Sequence, residues 1–388
     1  MRSIREFLQD IAYVMRRQFR LVFRDEGALL IIIGAVFIYS TLYGAGYGKE
    51  VAEQIPIAII DHSQTAESRA LISNCAATPA LCPQYYACDT KETERLFFDR
   101  AIHGALYIPA DYAERIQRAE QASVAIYCDA SYFLLYRQTF AGFVEAIRAT
   151  SNDIASRRDF DKHVPQIKYS SHNLFNPYLG YGTFVMPAIL LLILQQTALI
   201  GIGLIAGTRR EQCVGLSTQA LRPLSPLATL LGEYLAYILI YAATAAAIFS
   251  PFYALMGYPI KGDAVACTTI LTLYLSAIIL LAIAISRFFA RREDPFIWLL
   301  WISIPSLLVS GASLPMEAFP EPIHLVGQLL PSSSAIKAWT RVQSMGASLS
   351  DILPEIERLI ILIIAYGASA FLSVKRDIGV NSRLTPIS

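Results

Sequence analysis

The chain has 388 residues, of which 55% are hydrophobic and only 16% charged, and its mean hydropathy is +0.45. A single soluble core would leave far too much of that apolar surface in water. Lys and Arg number 32 against 31 Asp and Glu, a net charge of +1, which argues against a nucleic-acid partner because such proteins present a basic face.

In residues 1–26 the positions Ile4, Phe7, Leu8, Ile11, Met15, Phe19, Val22 and Phe23 recur at three- and four-residue steps. Arg5, Arg16, Arg17, Arg20 and Arg24 take much of the remaining circumference. This pattern predicts a cytoplasmic amphipathic helix lying in the inner headgroup layer. The apolar run that follows predicts a first transmembrane helix over 27–47, since a span needs about 20 apolar residues. That run is long and has no convincing small-residue cleavage site, so it is expected to stay as an anchor.

Residues 48–178 alternate strand-like and helix-like signals and predict an extracytoplasmic α/β domain. Strands are expected at Ile55–Asp61, Tyr85–Asp89, Gly104–Pro109 and Ser123–Asp129, with helices over 66–77, 91–102, 110–118 and from Tyr132 to about Arg158. Asp61, Asp89, Asp111 and Asp129 follow strands or precede helices, where Asp caps or turns the chain, a reading preferred to paired catalytic carboxylates. Cys75, Cys82, Cys88 and Cys128 lie in this domain. On an oxidising side they are candidates for disulfides of open connectivity, with buried thiols the alternative. No C-x-x-C pair or His spacing fits zinc, so no metal site is expected.

Five further apolar segments, 179–207, 227–256, 264–289, 296–314 and 353–374, complete an expected set of six spans. The regions before the first span, at 208–226, at 287–295 and the tail with Lys375, Arg376 and Arg383 carry clustered Lys and Arg, which puts both termini in the cytoplasm by the positive-inside rule. The fold class expected is an α-helical polytopic membrane protein of about six transmembrane helices with an inserted α/β extracytoplasmic domain. Its membrane region is 179–376, including a cytoplasmic loop 208–226 and a re-entrant segment 315–352, and 377–388 is a cytoplasmic tail.

Catalytic signatures are missing from the sequence. The Gly44-Ala45-Gly46-Tyr47-Gly48-Lys49-Glu50 stretch has the wrong glycine spacing for a phosphate loop and no Ser or Thr after the lysine. There is no Gly-x-Ser-x-Gly and no His-Glu-x-x-His. The spans read as almost free of ionisable residues, which weighs against an ion-driven pump or channel. Energy is therefore expected from another subunit.

Several ordered motifs carry a resemblance. Ile59-Ile60-Asp61, Gly104-Ala105-Leu106-Tyr107-Ile108-Pro109 with Asp111-Tyr112, Ala125-Ile126-Tyr127-Cys128-Asp129 and Phe175-Asn176-Pro177 mark the inserted domain and its exit. Arg210-Glu211, Gly215, Leu221-Arg222-Pro223-Leu224-Ser225-Pro226 and Gly232-Glu233 follow in the inner loop. Ser310-Gly311, Pro315-Met316-Glu317, Pro320 and Leu329-Leu330-Pro331-Ser332-Ser333 lie near the end. Together these resemble the permease subunit of type-2 ABC exporters, in the multidrug-export-like branch with a large domain between spans 1 and 2. Leu216 and Arg222 stand where that family usually has Thr. Locally the prolines can simply end helices and the arginines orient the chain.

The resemblance implies a permease that binds no cofactor itself, with ATP and Mg held by a separate ABC ATPase. It implies ATPase coupling through Arg24, Asp25, Arg209, Arg210, Glu211, Gly215, Arg222 and Pro223. With no internal repeat, a second copy or a paralogous permease is needed for a dimer. The apolar path suits a hydrophobic or amphipathic cargo, drug-like or lipid, with Gln195, Gln196, Trp298 and Trp301 as candidate cavity groups. A periplasmic adaptor is the expected partner of the outer domain, and the bacterial inner membrane the expected location. Two other readings remain: a non-transporting membrane anchor or scaffold, and a polysaccharide exporter.

Overall fold

The computed structural model describes residues 4–46, 53–131, 133–157, 181–212, 224–310 and 319–384. Two units emerge: Met1–Gly48 with Gly182–Ser388, and Lys49–Tyr181. The first opens with α1 (Ile4–Arg24). Asp25 then caps α2 (Glu26–Leu29) by accepting the Ala28 N–H at 3.0 Å. A π-helical turn (Leu30–Gly34) and α3 (Ala35–Gly46) continue the same apolar stretch.

In the second unit β1 (Ile55–Asp61), α4 (Ala66–Ala77), β2 (Leu81–Tyr86), α5 (Thr90–Phe98), β3 (Gly104–Ile108), α6 (Tyr112–Gln117), β4 (Ala125–Cys128) and α7 (Phe133–Arg157) follow in order. The sheet order is β2-β1-β3-β4, with β1 parallel to β2 and β3, and β4 antiparallel to β3. Central β1 is covered on both faces, which explains its unbroken apolar run. Ile57 and Ile59 enter a core with Leu71, Leu106, Ile108 and Phe143, while Ala58 turns to Ile102, Ala105 and Phe97, the two-residue period of a strand. Strand β2 lies at 81–86 rather than the expected 85–89. It is an edge strand, where Pro83 is tolerated, and its register with β1 shifts between Ile57 and Ala58.

The expected disulfides do not form: Cys75, Cys82, Cys88 and Cys128 are free thiols. Cys82 and Cys128 sit on opposite edge strands. Three strand spacings separate them by about 14 Å, beyond the reach of a disulfide. Cys75 is fully buried in the core, which pushes its thiol up to about 12. Three of the four aspartates cap or turn the chain as the sequence suggests, whereas Asp111 makes no side-chain cap bond and pairs with Arg115 instead. Asp89 caps α5 through the Glu92 N–H at 2.8 Å, Asp61 accepts from Ser63 and Gln64 N–H and from the Ser68 hydroxyl, and Asp129 accepts from Ser131 N–H.

The first unit resumes with α8 (Tyr181–Glu211), then α9 (Pro226–Ala247), which runs through a π-helical turn (Ile248–Phe252) into α10 (Tyr253–Met256). Next come α11 (Ala264–Ser286), α12 (Asp294–Val309), α13 (Glu321–Gln328), α14 (Pro331–Met345) and α15 (Leu353–Leu384). Among the described residues five stretches are long and apolar enough to cross a membrane: 26–46, 182–211, 226–256, 264–286 and 349–378. The sixth expected span falls on α12, which has 16 residues, and 311–318 lie outside the described residues. In the expected re-entrant stretch α14 is deeply buried at Trp339, Val342 and Gln343, and the Gln343 carbonyl accepts from Lys261 N–H at 2.9 Å.

Helix α1 packs one of its faces on protein. Asp10, Val14, Gln18 and Val22 form a four-residue ridge that is buried. Gly232 of α9 makes the close approach possible, since a Cβ there would stand 2.6 Å from Val14 Cβ and 2.9 Å from the Ile11 carbonyl. Gln18 Nε2 donates to the Tyr237 hydroxyl of α9. Ile4, Leu8 and Phe23 stay exposed, so the stripe that packs on protein contains polar residues and the more apolar one faces outward.

Candidate functional site

Helix α8 ends on Arg209, Arg210 and Glu211, and α9 begins at Ser225, which caps it through the Ala228 N–H at 3.1 Å. About two turns into α9 stands Glu233, only 1% exposed. An ionised carboxylate so enclosed costs several kcal/mol unless it is paired. Both its oxygens are paired: Arg209 Nη1 reaches Oε1 at 3.0 Å, and Arg287, at the end of α11, bonds Oε2. Arg287 also reaches Asp377 of α15 at 3.0 Å. Arg210 grips both Asp377 oxygens at 3.1 Å and donates to the Phe289 carbonyl at 2.6 Å. Thus α8, α9, α11 and α15 are tied at one end by a continuous chain of charge.

A second bracket lies beside it. Arg292 bonds the two Asp25 oxygens at 2.5 and 2.7 Å and the Thr208 hydroxyl at 2.9 Å, joining the α1–α2 corner, the end of α8 and the segment before α12. The Arg292 guanidinium holds the Asp25 carboxyl below the usual carboxylate range, against some opposing burial. Asp294 caps the same turn by accepting from Ala290 and Arg291 N–H. Gly207 allows the turn to approach α8, because a Cβ there would lie 2.2 Å from the Arg291 carbonyl oxygen.

Of the expected coupling residues, the structure brings Asp25, Arg209 and Arg210 into these pairs within the chain. Arg209, 10% exposed in its side chain, pairs with Glu233 inside the chain. Arg24 and Glu211 are exposed, as are Arg20 and Arg16, one and two turns before Arg24. Gly215, Arg222 and Pro223 lie outside the described residues. Glu233 is a buried ionisable group inside the 226–256 span, and Arg287, just past the end of the 264–286 span, meets it there. A lone Glu inside an apolar run was the available signal, and the distant Arg287, Arg292 and Asp377 gave none.

The candidate cavity groups do not converge. Trp298 and Trp301 are 51% and 76% exposed on α12, whereas Gln195 is fully enclosed in α8. Gln195 Oε1 accepts the Ser332 N–H of α14 at 3.2 Å, and its Nε2 meets no partner among the described residues. The neighbouring Gln196 Oε1 is also buried without one among the described residues.

Apolar helices of spanning length, joined at one end by buried ion pairs, define a multi-pass helical membrane protein. Residues 27–372 match the family described as ABC-2 family transporter protein, and the chain belongs to that family. It is a membrane permease subunit of an ABC transporter, the transport subunit rather than the catalytic one, and its family implies an ABC ATPase partner. Among curated proteins nothing matches the chain.

Proposed function

We propose that two copies of this chain, or one copy and a paralogue, form the path of an ATP-driven exporter that moves a hydrophobic or amphipathic compound out of the cytoplasm or inner leaflet. ATP and Mg are bound by the ATPase subunits. The observation that carries the reading is the charge network at the end of α8: it ties α8, α9, α11 and α15 together, so a push delivered between α8 and α9 is passed to all of them. The ATPase meets the loop carrying Gly215, Arg222 and Pro223, the exposed Glu211, and the Arg16, Arg20 and Arg24 stripe on α1, where acidic partner groups can pair. On this reading the termini are cytoplasmic, the membrane is the bacterial inner membrane, and Lys49–Tyr181 is the outer domain.

An envelope adaptor docks on that outer domain. An open groove of about 840 Å³ beside β4, with Phe98, Tyr127 and Phe140 exposed along it, supports such a contact. The whole reading is tested by purifying the chain with its partner. It should hydrolyse no ATP alone yet copurify with an ABC ATPase, and Glu211→Lys with Arg24→Glu should lower the coupled hydrolysis about tenfold while the chain stays folded. Intrinsic hydrolysis, or full coupling in that variant, would reject it; failure to recruit any ATPase would leave the membrane-anchor reading.

A further inference from the structure

Strand β4 closes the sheet order, and among the described residues no further strand pairs with it. One hydrogen bond fixes which of its main-chain groups face that open edge. The Asp129 N–H donates to the His103 carbonyl at 3.0 Å, and the ladder continues with Cys128 opposite Gly104, Tyr127 opposite Ala105 and Ile126 opposite Leu106. Bonded and non-bonded pairs alternate in an antiparallel ladder, so Tyr127 turns its N–H and C=O to β3 while Ile126 and Cys128 turn theirs outward. Those outward donors and acceptors are a template for one more strand.

The groove of about 840 Å³ runs along this edge and takes its walls from both faces of the sheet. On one face Phe97 of α5 packs with Ala58 and Ala105, and Tyr127, opposite Ala105, lies on that side with the 86% exposed Phe98. On the other face α7 packs through Phe143 against Ile57 and Leu106 and lends the groove Tyr136 and Phe140, whose rings stack. An extended chain laid on the edge sends alternate side chains to each wall. Glu94 and Asp129 line the groove against Arg100, one carboxylate in excess. A basic residue is the charge complement, whereas a second copy brings the same excess to the contact.

We propose that β4 accepts an extended segment of a partner protein as a fifth strand of this sheet. The partner's main chain bonds Ile126 and Cys128, its apolar side chains alternate between the two aromatic walls, and a Lys or Arg pairs with Glu94 or Asp129. This rests on the adaptor reading of the groove and names what the adaptor offers: an extended segment with a basic residue, not a folded apolar face.

The test uses the full-length chain in detergent with a short fluorescein-labelled peptide in which Val and Phe alternate with Thr and Lys, against the same peptide N-methylated at every main-chain amide. The parent peptide should bind about tenfold more tightly than the methylated one. Its binding should slow hydrogen exchange at the Ile126 and Cys128 amides and leave the Tyr127 amide, already bonded to β3, unchanged. Cys128→Pro removes an outward donor while sparing the bonds to β3, and should weaken the peptide about tenfold, whereas Cys128→Val should not. Unfolding midpoints identify a proline variant that fails to fold, in which case the exchange pattern of the unaltered chain decides. Absence of saturable binding, equal binding of the methylated peptide, or slowing at Tyr127 in place of its neighbours overturns the added strand. So does protection of Ile126 and Cys128 before any peptide is present, because the edge is then already occupied by this chain or a second copy. No adaptor enters this assay, so its failure leaves adaptor docking on the aromatic surface standing, and failure to find an adaptor leaves the peptide result intact.

Discussion

The two units use the same ionic chemistry in opposite ways. In the Lys49–Tyr181 unit Arg115 pairs with Asp111 and Arg118 with Glu114, each one helical turn apart and about half exposed in its side chains. In the membrane unit Glu233 is held between Arg209 and Arg287, with side chains 2%, 10% and 6% exposed, and the partners come from different helices. Water already solvates the first kind, so pairing adds little. The second kind has left water, and removing one partner strands the others. What decides the value of an ion pair here is its enclosure and not its geometry.

That contrast can be broken most directly at Glu233. Glu233→Ala leaves Arg209 and Arg287 enclosed without their shared carboxylate and should destabilise the protein by about 3–5 kcal/mol. The loss is read as a fall in folded, monodisperse protein after detergent extraction. An unchanged unfolding midpoint would mean that the network is ornamental. Next in size, Gly207→Ala forces a Cβ to within 2.2 Å of the Arg291 carbonyl oxygen, a backbone atom that cannot swing aside. Overpacking of this kind costs about 1–3 kcal/mol, and the thermal midpoint should fall accordingly.

The Asp25–Arg292 bracket lies between the two extremes, with side chains 17% and 36% exposed. Asp25→Asn should cost about 1 kcal/mol at neutral pH after discounting for solvent. Its sign with pH follows from a folded-state carboxyl held below its ordinary value of 3.8. The contribution is complete above that value and disappears as pH falls through the lower, folded one, so the variant should lose part of the acid sensitivity of unfolding. Equal acid profiles for the two proteins would discount the bracket. Last, Asp111→Asn in the outer unit should leave the midpoint unchanged within error, and a measurable drop would contradict the contrast itself. In the same unit a maleimide should label exposed Cys88 quickly and Cys75 only on unfolding, because burial keeps the Cys75 thiol protonated up to about 12.

How much could be read from the sequence varies with the physics. Strand β1 and helix α4 fall at Ile55–Asp61 and 66–77 as expected, because an apolar run ends in an Asp turn and Thr65 with Ser68 forms a local capping box. Strand β2 was misplaced because Pro83 disfavours a strand except at an edge, and edge position is a property of the sheet. In α1 the three- and four-residue periodicity was correct, yet the stripe that packs contains Asp10 and Gln18, chosen by the gap at Gly232 and the Tyr237 hydroxyl on another helix. Cysteine count suggested disulfides, while strand order separates Cys82 from Cys128. Trp298, Trp301, Gln195 and Gln196 looked alike as polar or aromatic marks in apolar runs, and only packing turned the first two outward.

The sequence by itself determined the apolar stretches, their interruption by an α/β insert, and the family, because hydrophobic length and local turn chemistry act over tens of residues at most. Tertiary structure decided which charges meet. Arg210 and Asp377 stand 167 positions apart, and Asp25 and Arg292 stand 267 apart. No local pattern links such residues. Their pairing arises because helices brought together by apolar burial must satisfy every charge they enclose, and the only available partners are those that folding delivers to the same end.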